Sequence, residues 1–243
     1  MKPFPTTHLE RRLLVDGAQF VIGLDEVGKG AWAGPLVIGA AVLSREVIDA
    51  DDGAQRLGGA RDSKQIAEKK REAMFDVVAS GCAAWSIGSA SHRECDELGM
   101  NEAQRLAAKR ALDALGNGVD LTRATAIIDG RWDFVSPHVA RVETMVKADA
   151  SVLSVAAASV LAKVSRDRLM RERALEYPHW SFATNKGYPC PKHRQGLVEH
   201  GVSEIHRVSW AFMDNLGLRS PQIGKSTRLN SSHSQQSRMP SSA

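Results

Sequence analysis

The sequence predicts an α/β fold on three observations. Five apolar runs of strand length are spaced along the chain, helical segments separate most of them, and one long helix opens with small side chains suited to close packing on a sheet. Residues 8–15 place Leu9, Leu13 and Leu14 on one helical face and Arg11 and Arg12 on the other, an amphipathic helix. Strand one covers 20–24 and strand two 35–44, while the acidic, Gly-containing 49–60 segment reads as a loop. Asp62 or Ser63 then N-caps a helix reaching to about residue 80. Strand three covers 83–90, and two helices fill 93–115, broken near Gly99 and recapped by Asn101. Strand four covers 124–128 and ends on Asp129-Gly130; strand five covers 141–146 and leads into Lys147-Ala148-Asp149. A helix over 150–176 follows, rich in Ala and Ser as far as residue 162 and charged after it. Lys163, Arg166, Asp167, Arg168, Arg171, Glu172 and Arg173 read as a helix leaving the core, with most of its charges in water.

Composition narrows the function classes. At 243 residues and 43% hydrophobic content the chain can bury one sizeable core, and no apolar run approaches the length needed to cross a bilayer. With no apolar stretch near Met1 to resemble an export signal, a soluble, cytoplasmic protein that uses no membrane is expected. Cys82, Cys95 and Cys190 are odd in number and widely spaced, which speaks for idle thiols in a reducing compartment and against a disulfide frame or zinc site. Residues 225–243 are polar and Ser-rich, read as a disordered tail, and resemble the translation of a sequencing adapter joined to a gene fragment. That tail contributes Lys225, Arg228 and Arg238 and no acid, so without it the net charge of +4 becomes +1 and overall basicity argues for no partner. Residues 1–224 are taken as one domain with a helical C-terminal part.

The chain is organised around residues 22–35. An apolar run ends in Asp25-Glu26, a Gly28-Lys29-Gly30 turn follows, and a second apolar run begins after Pro35. Neighbouring side chains of a strand point to opposite faces, so Asp25 and Glu26 would share a site only where the pleat breaks. Gly28 and Gly30 are read as supplying that break through positive φ. Gly23, Gly28 and Lys29 approximate a phosphate-binding loop, but Gly30 stands where a metal-binding Ser or Thr belongs and two carboxylates would repel phosphate. The dinucleotide fingerprint fails on spacing. Taken alone, Asp25-Glu26 reads better as a solvated pair in a hairpin loop.

Asp129 and Asp149 follow apolar strands in the same manner. Singly, each has an ordinary explanation, as a polar strand end or a helix cap. Together the four acids suggest a cation site, because clustered carboxylates repel unless neutralised, and oxygen-only ligation selects magnesium or manganese over zinc. The helix expected from residue 150 would point its positive end at Asp149.

Seven segments carry a resemblance. They are Asp25-Glu26-Val27-Gly28-Lys29-Gly30, Asp62-Ser63-Lys64, Ile128-Asp129-Gly130, Lys147-Ala148-Asp149, the stretch from Ala156 to Asp167, Asn185-Lys186-Gly187-Tyr188-Pro189 with His193, and Ile205-His206-Arg207-Val208-Ser209-Trp210. In this order they resemble the successive motifs of ribonuclease HII. Lys29 stands where Arg is commoner, Ala31 where Pro is frequent, and Ala148 where Gly often precedes the last Asp. The resemblance implies an RNase H-like mixed β-sheet flanked by helices, with a small C-terminal helical region. It implies a monomeric nuclease, dependent on two Mn2+ or Mg2+ ions, that cleaves RNA in RNA/DNA hybrids and cuts 5′ of single ribonucleotides in duplex DNA.

By the same resemblance Asp25, Glu26, Asp129 and Asp149 are the catalytic metal-binding acids, backbone groups of Gly28, Lys29 and Gly30 sense the ribose 2′-hydroxyl, and Tyr188 stacks on the next sugar. The chemistry agrees, since the 2′-hydroxyl alone separates RNA from DNA at a site. Among lysines, Lys64 and Lys186 stand out as phosphate contacts because they neighbour caps or motif glycines. His193 and His206 are candidates for positioning, with a structural hydrogen bond the plainer reading of His206; Trp85, Trp132, Trp180 and Trp210 read as core or cover. The alternatives are ribonuclease HIII or a junction resolvase on the same scaffold, or a non-catalytic nucleic-acid-binding module.

Overall fold

β2 (Leu36–Leu43) is buried at all eight positions, which demands cover on both faces of the sheet. In the computed structural model, which describes residues 4–210 and 213, that cover is helical. The chain begins with α1 (His8–Val15) and β1 (Phe20–Val27), turns into β2, and continues through α2 (Arg45–Asp49), α3 (Gly53–Arg56), α4 (Glu68–Ser80), β3 (Cys82–Ala90), α5 (His92–Leu98) and α6 (Met100–Ala114). Then come β4 (Ala124–Asp129), β5 (Arg141–Met145), α7 (Leu153–Glu176), α8 (Phe182–Asn185) and α9 (Pro191–His200). The strands lie in the order β3-β2-β1-β4-β5. β1 to β3 form an antiparallel meander, and β4 and β5 join parallel to β1, so the sheet is mixed. The reading of residues 225–243 as a tail lies outside the described residues.

Strand alternation sorts the core into two layers. Ile22, Leu24, Ile38, Ala40, Ala126 and Ile128 pack with Ala103, Ala107, Ala111 and Leu112 of α6. On the other face Ala41 and Leu43 pack with Leu153, Ala157, Ala158 and Leu161 of α7 and Met74 and Val78 of α4. The small residues of α7 do what their size allows: a Cβ built on Gly23 would lie 2.2 Å from the Ser154 backbone, and one on Gly39 2.5 Å from the Ala158 carbonyl. The start of α7 is also tied to the N-terminal segment. Thr6 exchanges backbone hydrogen bonds with Ser151 and Leu153, and the wholly buried Glu10 accepts the Ser154 N–H at 2.8 Å. Burial raises the Glu10 pKa against that hydrogen bond.

Several expected elements differ. The 49–60 segment carries the end of α2 and all of α3, because Val47, Ile48, Ala54 and Leu57 face inward beneath the acidic surface. Asp62 caps only a 3-10 turn, Ser63–Gln65, accepting the Lys64 N–H at 2.9 Å; extended Ile66 then buries its side chain before α4 begins. Gly99, with φ 77°, is itself the cap of α6, so Asn101 falls in the first turn. The charged half of α7 leaves the core only in part: Arg168, Glu172 and Arg173 are exposed, but Arg166 and Asp167 are 1% and 2% exposed, and Asp167 pairs with Arg71 at 3.2 Å and Lys163 at 2.8 Å. The three cysteines are unpaired. Among the described residues no helix is long and apolar enough to cross a membrane.

Gly23→Ala forces backbone against backbone, where neither side can turn away. It is expected to destabilise by about 1–3 kcal/mol in urea unfolding. Gly30→Ala, with nothing within 4 Å of the added carbon, is expected to stay within about 1 kcal/mol of the parent.

Candidate active site

The pleat does not break at the paired acids. β1 keeps its antiparallel register through Asp25↔Gly39, Glu26↔Ile38 and Val27↔Val37, so the two carboxylates leave the strand on opposite faces. Asp25 shares the α7 face with Gly23 and is buried, while Glu26 is half-buried on the other side. The break comes one residue later, where Gly28 takes φ 88° and its carbonyl accepts the Ala31 N–H; Gly30 needs no positive φ. Parallel β4 pairs with β1 up to Leu24↔Ile128, and the next residues on the two strands are Asp25 and Asp129; the Asp129 charge acts on Glu26 and Asp149. Asp129 Oδ1 accepts the Ala148 N–H at 2.9 Å, which draws in the 3-10 turn Ala148–Ala150 and buried Asp149. The left-handed residue of this connection is Lys147, at φ 61°, so Ala148 fits without strain. α7 starts only at Leu153, so Asp149 is not at its N-terminus as expected.

Electrostatics join the four acids. Burial, opposed by the Ser159 hydroxyl and Lys64 but reinforced by the charges of Glu26 and Asp149, pushes the Asp25 carboxyl up to about 7. Asp149 is pushed up to about 6 by burial and then by the charges of Asp62 and Asp129. Burial also raises Glu26, with Asp129 adding to it and Lys29 and Lys64 opposing. Asp62, read from the sequence only as a cap, is therefore a further member of the group. The Gln65 amide, the Lys64 N–H and the Lys64 charge outweigh its partial burial and hold it below the usual range. Lys64 faces Asp25, Asp62, Asp149 and Glu26, whose charges outweigh its desolvation and raise its pKa.

A second cluster holds the glycine loop. The Gly28 N–H donates to the Tyr188 hydroxyl at 2.9 Å, bringing together two residues 160 positions apart. Arg166 donates to the carbonyls of Pro35 (2.9 Å), Lys186 (2.8 Å) and Ala33 (3.1 Å), and its guanidinium carbon lies 5.3 Å from the centre of the Tyr188 ring. A Cβ on Gly28 would lie 2.3 Å from Arg166 Nε, so only glycine leaves the guanidinium in place. Arg207 donates to Gly34 O at 3.1 and 3.0 Å and to Lys29 O at 3.2 Å. Neither arginine stood out in the sequence. For Arg166 the signal was its helical spacing from Val155, Ser159 and Ala162, which continues the sheet-facing stripe.

The lysines divide. The Lys29 ammonium lies 4.0 Å from Glu26 and 5.8 Å over the Trp132 ring. Lys186 is buried, and its ammonium contacts Glu68 at 3.0 Å, Ala183 O at 2.8 Å and Thr184 O at 3.5 Å. Those contacts take up its three donors and set it apart from the acid group.

Among the described residues no three His, Cys, Asp or Glu side chains form a ready-made cation cage. The donor set nevertheless fits a hard divalent ion. It is oxygen-only, and the mutual repulsion that lifts Asp25 and Asp149 is what a bound cation would relieve.

The sequence model of the family described as Ribonuclease HII matches residues 22–213. A ribonuclease HII of Streptomyces avermitilis is 42% identical over 216 residues, covering 87% of this chain and 86% of its own length. One of Caulobacter vibrioides is 38% identical over 211 residues, covering 87% and 92%. Among solved structures, the ribonuclease H2 from Pyrococcus horikoshii matches with a TM-score of 0.65 at 29% identity, covering 82% of this chain and 97% of its own. The mixed sheet with helices on both faces is thus RNase H-like. With a family match over most of its length and relatives at this identity, the chain belongs to the ribonuclease HII family and is a ribonuclease H enzyme.

Proposed function

We propose that the chain hydrolyses the RNA strand of RNA/DNA hybrids and cuts 5′ of single ribonucleotides in duplex DNA, leaving a 3′-hydroxyl and a 5′-phosphate, as in ribonucleotide removal during repair. The carrying observation is the mutual electrostatic contact of Asp25, Glu26, Asp129 and Asp149 beside the Gly28–Tyr188 hydrogen bond. The first group suits hydrolysis of a phosphodiester, and the second suits recognition of a sugar.

In this reading Asp25, Glu26, Asp129 and Asp149 would hold divalent ions, Mn2+ or Mg2+. Such ions supply Lewis-acid activation of water and stabilisation of the leaving oxygen. Asp25 and Asp149, on the buried side, bind and orient while excluding bulk water. Asp129 fixes the Asp149 turn through the Ala148 N–H. Lys64 holds a proton among the carboxylates and offers positive charge to a phosphate. The Gly28-Lys29-Gly30 backbone reads the 2′-hydroxyl, at a turn where positive φ at Gly28 exposes main chain to close approach. Tyr188 carries the neighbouring sugar on its ring. Water adds to the phosphorus on the 5′ side of the ribonucleotide and the preceding 3′-oxygen leaves.

Asp25→Asn is expected to lower cleavage of a duplex containing one embedded ribonucleotide by more than ~100-fold, beyond the usual cost of losing an outer-shell partner of a metal. Product mapping checks it, and undiminished cleavage would remove the mechanism. Metal and pH are linked as well. Asp25 is raised from 3.8 to about 7, so its contribution to metal-free stability is full below its unfolded pKa and is lost as pH rises through about 7. Melting temperatures of the metal-free protein are therefore expected to fall on this account between those limits. Adding Mn2+ or Mg2+ near pH 8 is expected to raise them again, and titration below pH 7 to release protons. A melting temperature indifferent to metal at every pH would contradict the site.

A further inference from the structure

Ser203, His206 and His193 form a buried chain of hydrogen bonds that the acid group does not use. The two imidazole Nε2 atoms are 2.9 Å apart, a distance that one shared N–H can bridge and two cannot. Its direction follows from the ends. The Ser203 main-chain N–H donates to His206 Nδ1 at 2.8 Å, so that nitrogen is the acceptor and neutral His206 carries its proton on Nε2. The Ser203 hydroxyl lies 2.7 Å from the same Nδ1. His206 Nε2–H then donates to His193 Nε2, which leaves the His193 proton on Nδ1, 2.9 Å from the Tyr188 carbonyl oxygen that receives it.

Aromatic rings enclose the pair. Trp32 and Phe182 each lie 5.3 Å from the His193 ring, and Trp180 lies 5.6 Å from His206. Burial lowers both imidazoles, with the neighbouring ring adding to the effect at His206, which falls to about 3. The chain therefore stays neutral and keeps one direction near neutral pH. The segment carrying His206 also bridges to Ala33, and Ile205 accepts the Gly34 N–H at 2.9 Å. Tyr188 is thus held at its carbonyl by His193 and at its hydroxyl by Gly28.

We propose that Ser203, His206 and His193 are positioning residues for Tyr188, setting the main-chain orientation that brings its hydroxyl to the Gly28 amide and thereby the discrimination between a lone ribonucleotide and a long hybrid. They touch no substrate and act through Tyr188. The inference rests on the function proposed above.

The test compares the full chain with His193→Phe and His193→Asn on two substrates, a duplex with one ribonucleotide and a long RNA/DNA hybrid, with kcat and KM measured separately. Asn places an amide N–H where Nδ1 stood and keeps the bond to Tyr188, whereas Phe keeps the ring and loses the bond. His193→Phe is expected to lower the single-ribonucleotide to long-hybrid ratio of kcat/KM by ~10-fold, mainly through KM, and His193→Asn to recover most of that loss. Combining His193→Phe with Tyr188→Phe is expected to cost less than the two changes added together. His206→Leu, which removes the ring that orients His193, should shift the ratio in the same direction and serves where His193→Phe does not fold.

Equal loss on both substrates, no recovery with Asn, or strict additivity with Tyr188→Phe would overturn the inference. A parent enzyme that cuts neither substrate would instead overturn the functional reading, and the inference with it.

Discussion

Two guanidinium groups, Arg166 and Arg207, hold this structure's functional loop by its main-chain carbonyls. Their hydrogen bonds to Ala33, Pro35 and Lys186, and to Lys29 and Gly34, fasten the segment after β1 to α7 and to the turn bearing Tyr188. Burial lowers both arginines, Arg207 to about 10, yet each stays charged because carbonyl dipoles replace the lost water. Carbonyls are fixed in space as long side chains are not, so the loop gains a single geometry. A Lys in either place could not reach so many acceptors in one plane.

The acid group follows the opposite logic. Where the arginines are satisfied, the carboxylates are crowded and under-compensated, and burial makes their repulsion felt. Parallel pairing of β1 and β4 ends at Leu24↔Ile128, just before Asp25 and Asp129, and the hydrogen bond from Ala148 to Asp129 brings Asp149 to the same edge. The fold thus sets a charge imbalance next to a rigid, fully bonded loop. One half is poised to gain from a cation, and the other has nothing left to rearrange.

What the sequence made legible was what apolar spacing and residue size control. The five strands, the break at Gly99 and the close approach of α7 to the sheet follow from those rules, though not the glycines, Gly23 and Gly39, that admit it. What it hid was mostly charge. Arg166 and Asp167 look like solvated residues in a polar stretch, and only tertiary neighbours 20 or more positions away reveal them as buried. The acids were legible as a set while their geometry was not: Asp25 and Glu26 remain inside a paired strand, and Asp149 sits in a 3-10 turn ahead of α7, which begins only at Leu153. Asp62 was visible as a cap, and capping gave no hint of the carboxylates it would face.

The attachment of Thr6 and Glu10 to the start of α7 bears on where the chain can be cut. The family match begins at residue 22, yet the carboxylate that occupies the first free amide of α7 lies upstream of it. Trimming to the family boundary would leave that helix end open to water and bare the inner surface of the very layer that seats Asp25. The layer that seats Asp25 thus draws on residues that the 22–213 boundary leaves out.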